Sequence, residues 1–106
     1  MNPQIEQASF QIIAAVGAAR SNYIEAIHRA EAGDFDGAEA LIKEGQEIFT
    51  AGHDAHFGLI QQEAAGEQSD LALILVHAED QLMSAEAFGI LAREFLSVYR
   101  KLADVA

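Results

Sequence analysis

Apolar residues recur along this chain at helical spacing, in steps of three and four, and not at the alternating spacing of a strand. The clearest row lies in the C-terminal third and consists of Leu71, Leu75, Ala78, Leu82, Ala85, Gly89, Ala92, Leu96 and Tyr99. Such a sustained heptad row predicts a long helix whose one side packs against other helices. Most of the remaining residues are also good helix formers, so we expect an all-α protein without strands.

Two glycine-containing breaks divide the chain into helices. In AGDFDG, Gly33 can end a helix in the left-handed conformation and Asp34 can cap the next one. In AGEQSD, Gly66 ends a helix, and Ser69 or Asp70 caps another.

Three helices are therefore predicted, near residues 4–32, 34–65 and 69–104, and the single proline, Pro3, lies where the first begins. Each helix is about 30 residues and hence about 45 Å long. Joined by short turns, they must run up, down and up as one antiparallel three-helix bundle, a single domain over residues 1–106.

The third predicted helix has two further rows at helical spacing. One contains Ile74, His77, Gln81, Ser84, Phe88, Leu91, Phe95, Val98 and Leu102, and the other contains Leu73, Val76, Asp80, Met83, Ala87 and Ile90. Three rows are too many for a helix with two partners in its own chain, because an apolar row has to be covered. We therefore expect the helix to pack against copies of itself in a homo-oligomer, with which a trimer is compatible.

The composition excludes several classes of protein. Cysteine is absent, hydrophobic residues make up 51% of the 106 positions, and no apolar run approaches the roughly 20 residues of a membrane span. Without cysteine there is neither a disulfide framework nor a thiolate zinc site. The net charge of −11 should repel nucleic acids and anionic membrane surfaces. The N-terminus lacks the layout of a signal peptide, so we expect a cytoplasmic protein.

The segment LVHAEDQLM, residues 75–83, places polar groups among apolar neighbours. Such neighbours suggest burial, which is unfavourable for polar groups without partners. His77 has Asp80 at i+3 and Gln81 at i+4, both within reach of its ring, whereas Glu79 at i+2 points elsewhere. A neutral imidazole can act as a base, a metal ligand or a nucleophile towards phosphorus. It can equally be a core histidine bonded to a carbonyl or a glutamine.

Asp80 lies in a row that is otherwise apolar. If this row forms the axis of an oligomer, symmetry brings several copies of the carboxylate together, and they cannot all stay ionised without protons or a metal ion. Oxygen ligands suit a hard divalent cation such as magnesium or calcium. The alternative is an aspartate paired with Arg20 or Arg93.

His53 and His56 lie three residues apart, on one face of the second predicted helix. With His77 they could complete a zinc site, although two histidines at this spacing are a weak signal. Their aromatic and glycine neighbours indicate a partly exposed groove equally well. There is no glycine-rich phosphate loop, no serine–histidine–aspartate spacing and no DNA-binding helix pattern.

Four segments resemble the lactose/cellobiose-type IIA component of the bacterial phosphoenolpyruvate-dependent sugar phosphotransferase system. They are GAARSNYIEAI (17–27), AEAGDFDGAEALI (30–42), AGHDAHFGLIQQEAAG (51–66) and LVHAEDQLMSAE (75–86). The last is the most specific, since the family pattern there reads roughly V/M-H-x-Q-D-H-L-M. The resemblance spans nearly the whole chain and includes the order and spacing of the helices.

The resemblance implies a homotrimeric bundle that acts as a phosphotransferase component, with phosphate carried on His77 and Gln81 in support. His77 would accept phosphate from the histidine phosphocarrier protein and pass it to a cysteine of the IIB component. This would serve uptake of a lactose-, cellobiose- or chitobiose-type sugar through the membrane component IIC. His53 and His56 would neighbour the phosphoryl site. Asp80 would correspond to the family's aspartate at the trimer axis, with a divalent metal ion that we expect to be Mg²⁺.

Three positions depart from the family pattern. Glu79 stands where the family usually has glutamine, Gln81 where it usually has a second histidine, and His56 where many relatives have glutamine. The Glu79 and Gln81 departures motivate another interpretation, a helical adaptor that has lost phosphotransfer. A third interpretation is a metal-binding bundle that uses His53, His56 and His77. Few cations lie near the candidate nucleophile in the sequence, and Arg20 and Arg93 are the candidates to approach it in the fold.

Overall fold

The computed structural model describes residues 2–67 and 71–105 and contains three long helices, α1 (Pro3–Glu31), α2 (Phe35–Ala64) and α3 (Leu73–Asp104). They form an antiparallel rod with extents of 57 × 20 × 19 Å. The described residues contain no strand, which confirms the all-α prediction. None of the three helices is long and apolar enough to cross a membrane.

The helix ends follow the predicted glycine breaks. Gly33 and Gly66 have φ angles of +88° and +92°, the left-handed conformation that glycine adopts without a steric penalty. The Asp34 carboxylate caps α2 by accepting the backbone N–H of Gly37 at 3.0 Å.

Helices α1 and α3 differ in how their N-terminal ends are capped. Asn2 caps α1 by accepting the N–H of Gln4 at 2.8 Å, with Pro3 in the first turn as predicted. The predicted caps Ser69 and Asp70 lie outside the described residues. Helix α3 begins at Leu73, later than predicted, and has no side-chain cap.

The core lies along α1, against which α2 and α3 mainly pack. Tyr23 of α1 is 3% exposed, and its ring lies between Gly45 of α2 and Gly89 of α3. A methyl group on Gly89 would lie 3.0 Å from the ring, and one on Gly45 would lie 2.7 Å from it. The two glycines therefore let both helices approach α1 around one aromatic ring.

The three rows of α3 have different environments. Most of the first row is buried against α1 and α2: Leu75, Ala78, Leu82, Ala85, Gly89, Ala92 and Leu96. Every member of the third row is exposed: Leu73, Val76, Asp80, Met83, Ala87 and Ile90. Much of the second row is exposed as well, including His77, Leu91, Phe95, Val98 and Leu102. One chain therefore covers a single row of its third helix.

Candidate functional site

His77 lies on the outer side of α3, where its side chain is exposed to solvent. With Leu73 and Ile74 it lines a surface depression of about 590 Å³. Its ring makes no hydrogen bond and no ion pair with any residue in 2–67 or 71–105. The burial suggested by its apolar neighbours is wrong within one chain, because Leu73 and Val76 are themselves 85% and 44% exposed.

Arg20 brings a cation from α1 to the same row of α3. Its Nη1 donates to the Gln81 Oε1 at 2.7 Å and to the Ser84 Oγ at 3.3 Å. Gln81 is four residues after His77, so the two side chains are neighbours on one helix face. Arg20 therefore reaches the row of α3 that contains His77, and the Gln81 amide nitrogen keeps both of its N–H donors.

Arg93, the other predicted cation, lies elsewhere. It lines a cleft between α2 and α3 and follows His77 by 16 positions along α3, which is about 24 Å. Arg93 and His77 therefore lie far apart along the same helix.

Glu79 faces away from His77 in its own chain. Its Oε2 lies 2.7 Å from the Nε2 of His56 on α2, across the interface between the two helices. Residues two apart on a helix point to different sides. Glu79 therefore lies on the side of α3 that faces α2, whereas His77 lies in the row that Arg20 contacts from α1.

His53 is exposed on α2, one turn before His56. Its ring stacks against Phe57, with centroids 6.3 Å apart, and its Nδ1 lies 3.6 Å from Asp54 Oδ1. Within the described ranges no three His, Asp or Glu side chains form a group that could hold a metal ion. A zinc site of His53, His56 and His77 therefore does not form within one chain.

Asp80 is exposed on the third row of α3, and neither predicted partner reaches it. Arg20 bonds to Gln81 and Ser84, and Arg93 lies in the α2–α3 cleft. One chain thus supplies a single carboxylate at this position. Carboxylate oxygen is a suitable donor for a hard divalent cation, but one such ligand does not make a site.

The fold and the site define a class of protein: a small three-helix bundle with a solvent-exposed imidazole and an arginine-held amide one turn away. Such a ring can accept a group from a visiting protein without first breaking an internal bond. Residues 7–100 match the family described as "PTS system, Lactose/Cellobiose specific IIA subunit". The chain belongs to this family, as its resemblance predicts.

Characterised relatives agree with this assignment. The oligo-beta-mannoside-specific EIIA component of Bacillus subtilis (strain 168) is 41% identical over 95 residues, 90% of this chain and 86% of that protein. The crystal structure of the cellobiose-specific enzyme IIA from Bacillus anthracis has a TM-score of 0.95 at 36% identity and covers 100% of this chain and 97% of its own. The IIA(chitobiose)–HPr complex of Escherichia coli matches with a TM-score of 0.81 at 28% identity, over 93% and 96% of the two chains.

Two features of the site were not predicted from the sequence. The His56–Glu79 contact could have been found from one signal, since both residues depart from the family pattern. The position of Tyr23 between two glycines has a weaker signal, because a glycine inside a helical pattern only suggests a close approach of some neighbour.

Proposed function

We propose that the chain is the phosphocarrier subunit of a sugar phosphotransferase system and that His77 carries the phosphate. The observation that carries this proposal is the exposure of a histidine ring without an internal partner. An unprotonated nitrogen of such a ring has a lone pair that can attack phosphorus, and an exposed ring leaves this nitrogen open to a visiting protein. The proposed donor is the histidine phosphocarrier protein, supported by the related IIA–HPr complex, and the proposed acceptor is a cysteine of the IIB component.

The two transfers balance without any further reactant. A ring nitrogen of His77 attacks the phosphorus of the donor phosphohistidine, so that a new N–P bond forms while the donor N–P bond breaks. The donor imidazole leaves with the electron pair and regains a proton, and His77 gives up the proton of its other nitrogen. The IIB thiol loses its proton, and the resulting thiolate attacks the same phosphorus, so that an S–P bond forms while the His77 N–P bond breaks. The His77 ring leaves with the electron pair and takes up the proton that the thiol lost, which returns it to its neutral form.

The proposed assembly is a homotrimer around the third row of α3. Apart from Asp80 this row is apolar, and Leu73, Met83 and Ile90 are 85%, 65% and 52% exposed; large exposed apolar patches of this kind mark interaction surfaces. In a cyclic trimer the α1 side of each chain meets the α2 side of the next. His53 and His56 would then neighbour the phosphoryl site of the adjacent chain, although they lie away from His77 in their own.

Asp80 is the proposed ligand of a divalent metal ion at the trimer axis, with Mg²⁺ as the expected ion. Three symmetry-related carboxylates repel one another unless a cation or protons compensate them. A hard cation accepts oxygen ligands and would supply this charge compensation, which stabilises the assembly. His77 keeps its role as nucleophile, since the metal acts at the axis.

The proposed pathway ends in sugar uptake. Phosphate on IIB would be transferred to a lactose-, cellobiose- or chitobiose-type sugar that enters through the membrane component IIC. The names of the relatives, which mention oligo-beta-mannosides, cellobiose and chitobiose, support a sugar of this kind. In this proposal the chain works in the cytoplasm and meets IIC only through IIB.

Labelling by phosphoenolpyruvate, enzyme I and the phosphocarrier protein tests the proposal. We expect label that is acid-labile and alkali-stable in the unmodified chain and absent in His77→Ala. His28→Ala is the matched control, because His28 is an exposed histidine on α1, and it should label normally. No label on the unmodified chain would support the adaptor interpretation. Label retained in His77→Ala would mean that another residue carries the phosphate.

A further inference from the structure

Arg20 is the only basic residue of the chain on the side of α3 that carries His77. All six basic residues lie in the described ranges. Arg29 is bonded to Glu25 and Asp34 near the end of α1. The other four line one cleft of about 530 Å³ between α2 and α3, namely Lys43, Arg93, Arg100 and Lys101. On a chain of net charge −11, a phosphoryl group on His77 therefore has one cation within reach.

The contacts of Arg20 leave most of its donors free. Both of its hydrogen bonds, to Gln81 and Ser84, use Nη1. A guanidinium carries five N–H donors, so Nη2 and Nε remain for another acceptor. A side chain in a helix covers the turn before its own Cα. Gln81 therefore holds the guanidinium over the turn that starts at His77.

We infer that Arg20 binds the phosphoryl oxygens when His77 is phosphorylated, with Gln81 and Ser84 keeping its guanidinium in place. The inference rests on the proposed function. A phosphoryl group brings about 1.5 to 2 negative charges, and the planar guanidinium fork binds two of its oxygens at once. Without this cation, the acidic chain would disfavour the phosphorylated state through repulsion between like charges.

The glutamine at position 81 suits this role. Its amide oxygen accepts a hydrogen bond from Arg20 at every pH, whereas an imidazole accepts only through an unprotonated nitrogen. In this chain the guanidinium is therefore fixed independently of the protonation of a second histidine. Ser84 adds a neutral oxygen and so leaves the positive charge of Arg20 uncompensated.

The equilibrium constant for phosphoryl transfer from the phosphocarrier protein to the chain tests the inference. We expect Arg20→Gln to lower this constant about tenfold, since a charge-assisted bond to the phosphate is lost. Arg20→Lys keeps the charge without the fork and should lose roughly two- to fivefold. Arg29→Gln removes a cation from the same helix, and its constant should stay within about twofold of the unmodified value.

Salt separates a phosphate-binding role from a purely structural one. Raising the ionic strength should bring the constant of the unmodified chain towards that of Arg20→Gln, because an exposed charge–charge contact is screened. A merely structural contact would lower Tm and leave this constant unchanged. If Arg20→Gln does not fold, the transfer constant of Arg20→Lys and the salt series of the unmodified chain show whether Arg20 binds the phosphate.

Failure of the proposed function and failure of the inference about Arg20 give different results. If the unmodified chain takes no label, the proposed function fails. If it takes label and both Arg20 variants match it at low salt, the proposed function stands and the role of Arg20 is overturned.

Discussion

The Nε2 of His56 on α2 lies 2.7 Å from the Oε2 of Glu79 on α3. Glu79 stands where the family usually has glutamine and His56 where many relatives have it, so two departures from the family pattern contact each other. The pair joins the two helices that pack less against each other than against α1. It also directs the carboxylate of Glu79 away from His77 of its own chain.

The His56–Glu79 contact should appear as a coupling energy in a double-mutant cycle. With side chains 17% and 43% exposed, the pair is partly screened by water, and we expect about 0.5–1 kcal/mol between His56→Gln and Glu79→Gln. Urea unfolding of the four proteins near pH 6 gives this energy. A coupling indistinguishable from zero would mean that the contact contributes no stability.

Replacing Gly89 should destabilise the bundle, whereas replacing Gly17 should not. A methyl group on Gly89 meets the Tyr23 ring at 3.0 Å, and the ring cannot retreat because Gly45 lies against its other edge. Overpacking outweighs the gain in helix propensity, so Gly89→Ala should lower the free energy of unfolding by about 1–2 kcal/mol.

Gly17→Ala is the matched control for Gly89, because a methyl group on Gly17 has no neighbour within 4 Å. It should raise the free energy of unfolding by roughly 0.5–1 kcal/mol through helix propensity alone. Equal effects of the two substitutions in urea unfolding would contradict the assigned role of the Tyr23 ring.

The stability that the Asp34 cap gives to α2 should decrease at acid pH. The Gly37 N–H and then the Arg29 guanidinium hold the pKa of Asp34 below its ordinary value of 3.8. A lowered folded pKa gives stability that is fully present above the unfolded pKa and is lost as the pH falls through the folded one. Asp34→Asn keeps the capping oxygen without the titration, so its Tm deficit should shrink as the pH falls below 3.8.

Asp36→Asn is the control for this acid dependence, because Asp36 lies in the first turn of α2 and is exposed. The difference in Tm between Asp36→Asn and the unmodified chain should change less over the same range. Thermal melts followed by circular dichroism from pH 2 to 6 provide the comparison (a range set by about two units on each side of the ordinary carboxyl value).

The exposed row of α3 should control assembly. Met83→Glu places a carboxylate in this row, and three copies near one axis repel each other without a counterion, so the trimer dissociation constant should rise at least about 100-fold. Light scattering over a concentration series measures it. Ala40→Glu, on an exposed position of α2, should leave the mass unchanged. An unmodified chain with the mass of one protomer at high concentration would overturn the trimer itself.

Metal removal should weaken the assembly through Asp80. A ligand that binds only the folded trimer stabilises it by mass action, so EDTA should lower Tm and MgCl₂ should restore it. Asp80→Asn removes the charged ligand and should abolish both responses. If EDTA and MgCl₂ change the Tm of Asp80→Asn as much as that of the unmodified chain, any bound metal lies at another site.

Local chemistry explains which parts of the fold were predictable. The glycine breaks, the capping aspartate and the heptad row of α3 act within a few residues of sequence, and the structure has each of them where it was predicted. Helix α3 starts later than Ser69 and Asp70 predict, because their side chains suit a cap by type, whereas the helix begins at Leu73 after Ala72, whose side chain cannot cap it. His77 was expected among buried neighbours, since periodicity identifies rows without saying which of them the chain itself covers.

The sequence by itself determined three long helices, their up–down–up order and the family to which the chain belongs, because helix propensity, glycine conformation and short motifs are local. Only the tertiary structure decided that Arg20 bonds to Gln81, one turn after His77, that His56 pairs with Glu79, and that Arg93 lies in a distant cleft. These contacts join residues 23 to 61 positions apart, across helices whose rotation about their axes is set by how their buried rows pack together.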